Sequence, residues 1–270
     1  MTDLPLSRSG KTALQVAAEA AKAAGQVLLT NFHSSKKTKS KGRGDLVSEV
    51  DFLSQETILK LLRYEYPDFG VVSEETDSPI TVSGYTWIVD PLDGTNNYVF
   101  GIPFFCINVT LVKDSEILTG VTYDPNRDEL FYARKGEGAY LNDRRIHVSD
   151  KVSLETSLIG LDLGYDTVRG QESLDIITEL WPNVHAVRLM GSASLGLAYV
   201  ACGRIDLYLH RFIFPWDIAS GILLVVEAGG IINDWQGNPA TFESRGVIAA
   251  NKILNSNFGV EFLSRVGNRL

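Results

Sequence analysis

Two cysteines in 270 residues, Cys106 and Cys202, are too few for a disulfide framework, and both sit in apolar surroundings that read as core. Long hydrophobic runs are missing as well: no stretch approaches the roughly 20 residues that a membrane span needs. The first ten residues are polar and contain proline where a signal sequence would have an apolar centre. These absences predict a cytoplasmic protein with no membrane partner. Positive charge is in deficit, with 25 Lys and Arg against 33 Asp and Glu, for a net charge of -8. A phosphate backbone rewards a basic surface, so no direct nucleic-acid partner is expected. Neither an internal repeat nor a low-complexity tract is present. What remains is an ordinary globular composition, 44% hydrophobic and 21% charged. The chain is long enough to bury a substantial core, as one large domain or as two halves sharing an interface.

The chain is organised around Trp87-Ile-Val-Asp-Pro-Leu-Asp-Gly-Thr-Asn-Asn97. Trp87 to Val89 reads as a buried strand, and Pro91, with no N–H for a sheet ladder, ends it. Asp90 and Asp93 therefore fall where a strand becomes a turn. Gly94 lets the backbone approach a ligand, and Thr95-Asn96-Asn97 open a helix whose free N–H groups suit a phosphate. Hard oxygen ligands and an anion cradle in one loop are what Mg²⁺-assisted phosphoryl chemistry requires. Taken alone, the stretch reads equally well as an acidic turn with an Asp cap.

Around it, Leu14, Ala17, Ala18, Ala21, Ala24 and Leu28 recur at helical spacing between Lys11 and Asn31. His33 to Gly44 is polar, basic and glycine-punctuated, which predicts a mobile surface loop. Its lysines form a solvated face or, at Lys41, an arm that folds over an anionic substrate. Ser48-Glu-Val-Asp51 has the form of a helix start and puts Asp51 in a first turn, where the helix dipole favours an acid. Phe69 to Ser73 reads as a short strand delivering Glu74 and Glu75, an adjacent pair that is ordinarily solvated. Alternating segments from Phe104 to Leu141, separated by turn signals, predict an antiparallel meander. Beyond about residue 150, strands and helices alternate and predict a more parallel second sheet. Pro215 to Glu227 reads as a strongly apolar helix with Asp217 as N-cap and Gly229-Gly230 as its stop. Ser256 to Leu263 reads as a closing helix.

Each acid has a structural explanation taken singly, but Glu74, Asp90, Asp93 and Asp217 all fall at strand ends or helix starts, where α/β proteins build sites. Asp90-Pro-Leu-Asp-Gly-Thr95, Trp216-Asp-Ile-Ala-Ser-Gly221 and Glu227-Ala-Gly-Gly230 resemble the inositol monophosphatase family of Mg²⁺-dependent, lithium-sensitive phosphatases. Gly44-Asp-Leu-Val-Ser-Glu-Val-Asp51 and Ser73-Glu-Glu75 match it upstream in the expected order, so the resemblance covers nearly the whole chain. It implies an α+β fold, a layered α-β-α-β-α sandwich with an antiparallel N-terminal sheet and a smaller mixed or parallel C-terminal sheet. Residues 1–150 would carry most metal ligands and 151–270 the rest, in one compact unit that forms a homodimer. Glu74, Asp90, Asp93 and the Leu92 carbonyl would hold Mg²⁺, with Asp217 completing a second ion, for two or three ions in all. Glu74, Asp51 and Thr95 would direct a nucleophilic water, without a covalent phosphoenzyme. Asp93, Gly94, Thr95 and Asp217 would also face the substrate phosphate.

On the substrate side, Gly191-Ser192-Ala193 matches the family's second substrate turn. A glutamate that commonly contacts inositol hydroxyls is replaced by His210, and neutral histidine offers one acceptor and one donor where a carboxylate only accepts. The implied substrate is a small phosphorylated polyol or sugar, inositol 1-phosphate by default. Relatives with the same metal motifs process fructose 1,6-bisphosphate, histidinol phosphate and 3′-phosphoadenosine 5′-phosphate. Some bacterial relatives instead act as regulatory binding proteins of the transcription machinery.

Overall fold

The computed structural model describes residues 4–76 and 81–259. The first half runs α1 (Ala13–Asn31), β1 (Thr38–Gly42), β2 (Asp45–Ser48), α2 (Glu49–Glu65), β3 (Gly70–Ser73), β4 (Tyr85–Asp93), α3 (Thr95–Val99), β5 (Cys106–Lys113), β6 (Glu116–Asp124), β7 (Glu129–Arg134), β8 (Gly138–Leu141) and β9 (Arg144–Arg145). The second runs β10 (Leu158–Asp162), α4 (Thr167–Leu180), β11 (Ala186–Leu189), α5 (Ala193–Ala201), β12 (Leu207–His210), α6 (Pro215–Glu227), β13 (Ile231–Asn233), β14 (Val247–Ala250) and α7 (Lys252–Asn257).

These elements form five layers. Helices α1 and α2 begin with reciprocal capping boxes, Thr12 with Gln15 and Ser48 with Asp51. They cover one face of a seven-stranded sheet ordered β3-β4-β5-β6-β7-β8-β9. The small face of α1, including Ala17, Ala21 and Gly25, allows close approach: a Cβ on Gly25 would lie 2.6 Å from the Tyr123 ring. Helices α5 and α6 pack on the opposite face, and the same core joins them to a five-stranded sheet ordered β11-β10-β12-β14-β13. Ile176 and Leu180 of α4, with Leu254 of α7, close the outer face of that smaller sheet. Strands β4, β5 and β6 are buried along nearly their whole length because helices cover both faces.

The layered α+β architecture matches the expectation, with local differences. Strand β3 lies parallel to β4 at the edge of the otherwise antiparallel large sheet. The smaller sheet is mixed: β10 runs parallel to β11 and β12, whereas β12 and β13 pair antiparallel with β14. The expected loop at 33–44 is largely a β-hairpin, β1 pairing with β2. All five residues of β1 are exposed, so no apolar alternation marks the strand. The closing helix starts at Lys252, four residues before the expected Ser256, because Asn251 accepts from the Ile253 and Leu254 N–H groups. The end of the expected Ser256–Leu263 helix lies outside the described residues.

Candidate metal and phosphate site

Pro91 does not end its strand. Asp90 pairs with Asn108 and Asp93 with Cys106, so β4 carries one residue more than β5 across that interval. In a regular strand, residues three apart face opposite sides. The bulge's extra residue re-aims the chain and brings Asp90 and Asp93 to the same cleft. Asp217 approaches from the start of α6, where it is the third helical residue rather than the N-cap: its Oδ2 accepts from the Phe214 N–H at 3.0 Å.

Ligand oxygens of Asp90, Asp93 and Asp217 all lie within 4.8 Å of one another. Asp90 is fully buried; its Oδ1 accepts from the Leu92 N–H, and its Oδ2 has no hydrogen-bond partner. Asp93 Oδ2 accepts from the Ser192 hydroxyl at 2.5 Å and the Ser194 N–H at 2.9 Å. Burial drives all three carboxyl pKa values up, and mutual repulsion adds to the rise at Asp90 and Asp217. An orphaned buried oxygen among converging carboxylates fits a hard divalent cation, which supplies the missing positive charge and accepts oxygen donors.

Thr95 begins α3 beside this floor. Its hydroxyl lies 3.1 Å from Asp51 Oδ1 and 3.0 Å from the Leu92 carbonyl, one proton serving both. Asp51 is itself held by the Ser48 N–H and hydroxyl on Oδ2. Gly94, before it, has φ +91°, and a Cβ there would stand 3.0 Å from the Phe104 carbonyl and 3.1 Å from the Gly191 carbonyl. Only glycine joins bulge and helix at this point.

Lys41 reaches the cleft from the β1–β2 hairpin, its Nζ 3.1 Å from Glu74 and 2.6 Å from Glu75. Burial pushes Glu74 up to about 7 against the pull of Lys41. Glu75 is not the solvated residue its position predicts: its side chain is 3% exposed.

The remaining expected residues also line this cleft, of about 780 Å³: Gly191, Ser192, Ala193 and His210. Ser192 caps α5 and donates to Asp93, which ties the second substrate turn to the acid floor. Sequence reasoning missed a buried polar network beneath it. Asn108 donates to Ser194 at 2.6 Å and accepts from Thr122 and Ser220 at 2.7 and 3.1 Å, while Ser194 donates to the Asp217 carbonyl at 2.8 Å. These bonds tie β5, β6 and α5 to α6, which carries Asp217, and the Ser194 N–H links the network to Asp93. Also missed was Asp162, at the end of β10, pushed up to about 7 by burial. Its oxygens accept from the Gly191 N–H at 2.5 Å and the Tyr208 hydroxyl at 2.7 Å. The available signals were polar residues inside otherwise apolar strands.

The model of the inositol monophosphatase family matches residues 11–263. Inositol monophosphatase 1 of Solanum lycopersicum is 38% identical, over 91% of this chain and 92% of that protein. The Nus factor SuhB of Xylella fastidiosa is 37% identical, over 93% and 98%. Among solved structures, the Thermotoga maritima IMPase superposes with a TM-score of 0.87 at 32% identity, covering 95% of this chain and 98% of that one.

Proposed function

This chain belongs to the inositol monophosphatase family and is a phosphatase; from that premise we propose that it hydrolyses a small phosphorylated polyol or sugar, by default inositol 1-phosphate, with Mg²⁺. The observation that carries the reading is the partnerless Asp90 Oδ2 among the converging oxygens of Asp93 and Asp217. Asp90, Asp93, Asp217, Glu74 and the Leu92 carbonyl would hold two or three Mg²⁺ ions. Bound there, the metal supplies Lewis acidity that acidifies water and neutralises charge on the ester.

The chain's own residues account for the rest. Asp51, anchored by Ser48, fixes the Thr95 hydroxyl so that its lone pairs face an attacking water, and Glu74 orients that water from the other side. Gly94 and Thr95 present their N–H groups to the phosphate. Lys41 lies where it would contact an anionic substrate once cations engage Glu74 and Glu75. Residues 1–150 and 151–270 act as one unit in this reading, since Asp217 comes from the second half and its neighbours from the first.

Lithium inhibition and a homodimer belong to the same proposal. No helix among the described residues is long and apolar enough to cross a membrane, and a cytoplasmic location is part of the reading. The test is phosphate release from inositol 1-phosphate, fructose 1,6-bisphosphate, histidinol phosphate and 3′-phosphoadenosine 5′-phosphate, with and without Mg²⁺. Preference for inositol 1-phosphate is the expected result, and no Mg²⁺-dependent turnover of any ester would defeat the proposal.

Similarity to a Nus factor motivates a second reading, a regulatory role with a transcription-related partner. The full set Asp51, Glu74, Asp90, Asp93, Thr95 and Asp217 favours catalysis, because a scaffold needs none of that chemistry. Recovery of polymerase components equally by wild type and Asp93→Asn would establish the role as separate from turnover.

A further inference from the structure

His210 ends β12 and lines the cleft. Its backbone is fixed on both sides, paired in register with Asp162 of β10 and Val247 of β14, and its carbonyl accepts from the Trp235 indole at 2.8 Å. The residue is 5% exposed. Of its two ring nitrogens, Nδ1 accepts the Phe212 N–H at 3.2 Å. The proton of the neutral ring therefore sits on Nε2.

No described residue accepts from Nε2, and the Cε1–Nε2 edge lies beside Gly164, which also lines the cleft. A Cβ on Gly164 would stand 3.1 Å from Cε1 and 3.8 Å from Nε2, so any side chain there would crowd that edge, and His210 and Gly164 both line the cleft. Burial pushes the ring down to about 4, and it stays neutral at ordinary pH. The neighbouring carboxylate is already tied into the fold. Both oxygens of Asp162 are engaged, by Gly191 and Tyr208. The fold thus consumes the histidine's one acceptor, engages the adjacent acid, and leaves the histidine one neutral N–H.

We propose that His210 determines specificity by offering the leaving alcohol a single neutral donor, Nε2–H. Leaving groups that bring an acceptor to it, a ring ether oxygen or a hydroxyl oxygen, are favoured over ones that bring a methylene, and a vicinal diol gains one bond there rather than the two that a carboxylate would accept. A glutamate at this position would do the reverse, accepting both hydroxyl protons and repelling an ether oxygen. This deepens the phosphatase reading and rests on it.

The test compares kcat/KM for cyclohexyl phosphate, oxan-3-yl and oxan-4-yl phosphates and inositol 1-phosphate, with Mg²⁺, in wild type, His210→Gln and His210→Glu. The oxanyl and cyclohexyl esters differ only in one ring atom, an acceptor oxygen in place of a methylene. Wild type should prefer the better oxanyl ester over cyclohexyl phosphate by about tenfold, the value of one added hydrogen bond. His210→Gln, which keeps a donor near the Nε2 position, should retain that ratio within about threefold. His210→Glu should bring it to one or below, and should raise inositol 1-phosphate over cyclohexyl phosphate by about tenfold relative to wild type. An oxanyl-to-cyclohexyl ratio of one in the wild type overturns the proposal, and that measurement needs no variant to fold. Identical ratios in wild type and folded His210→Glu overturn it too. Turnover with flat ratios defeats this inference alone, whereas no phosphate from any ester defeats the phosphatase reading together with it.

Discussion

The two sides of the cleft handle buried polar atoms in opposite ways. On the floor, Asp90, Asp93 and Asp217 converge with an oxygen left unpaired. At the paired ends of β10 and β12, both Asp162 oxygens and His210 Nδ1 are satisfied within the fold, leaving one N–H for a ligand. The floor is strained by its own buried charges, which a cation would relieve; the β10–β12 end is already settled and, on the proposal above, would only select. The proposed chemistry thus falls where the fold leaves groups unsatisfied, and the proposed substrate choice where it leaves one group over.

The largest effect that would break this contrast is Asp93→Asn. Removing a floor carboxylate should lower kcat by about 10³ or more, because charge neutralisation at the phosphate depends on it, while circular dichroism shows a native fold. Near wild-type kcat would mean that the floor is not where the chemistry occurs. Next is Thr95→Ala, expected to lower kcat by about 10²-fold with KM little changed, since its hydroxyl is held by Asp51 to direct water rather than to bind. A change confined to KM would move Thr95 from the chemistry to the binding surface.

A smaller effect sharpens the comparison through stability. Burial raises the carboxyls of Asp90, Asp93 and Asp217, and Glu74 to about 7, above the ordinary values near 4 of the unfolded chain. The folded protein then holds protons that the unfolded chain has released. Metal-free stability is therefore greatest at low pH in this window and falls as pH rises from about 4 through 7. Differential scanning calorimetry after chelation should show that fall in Tm, and Mg²⁺ should reverse it. Asp90→Asn should raise the metal-free Tm at pH 7, by about 2–4 °C for each kcal/mol of relieved repulsion. A lower Tm in that variant would mean the floor is not under electrostatic stress.

Much of the floor was legible in the sequence, because its acids lie in short motifs at strand and helix ends. The meander from β5 to β8 and helix α6 were legible too, through turn signals and unbroken apolar residues. The bulge at Pro91-Leu92 was not, since it is set by pairing with β5 rather than by local residues. Nor was the β1–β2 hairpin, whose exposed first strand carries no apolar alternation. Asn108, Ser194 and Asp162 were passed over because each is tied to the cleft only through partners far away in the chain. His210 was legible as a departure from a motif, but which of its nitrogens the fold consumes depends on the backbone at Phe212.

The central claim is most directly tested by chelating all divalent metal from the wild-type protein and following phosphate release from inositol 1-phosphate as Mg²⁺ is returned. The account predicts no release without metal and saturable recovery with it. Release at an unchanged rate from the metal-free protein would contradict it.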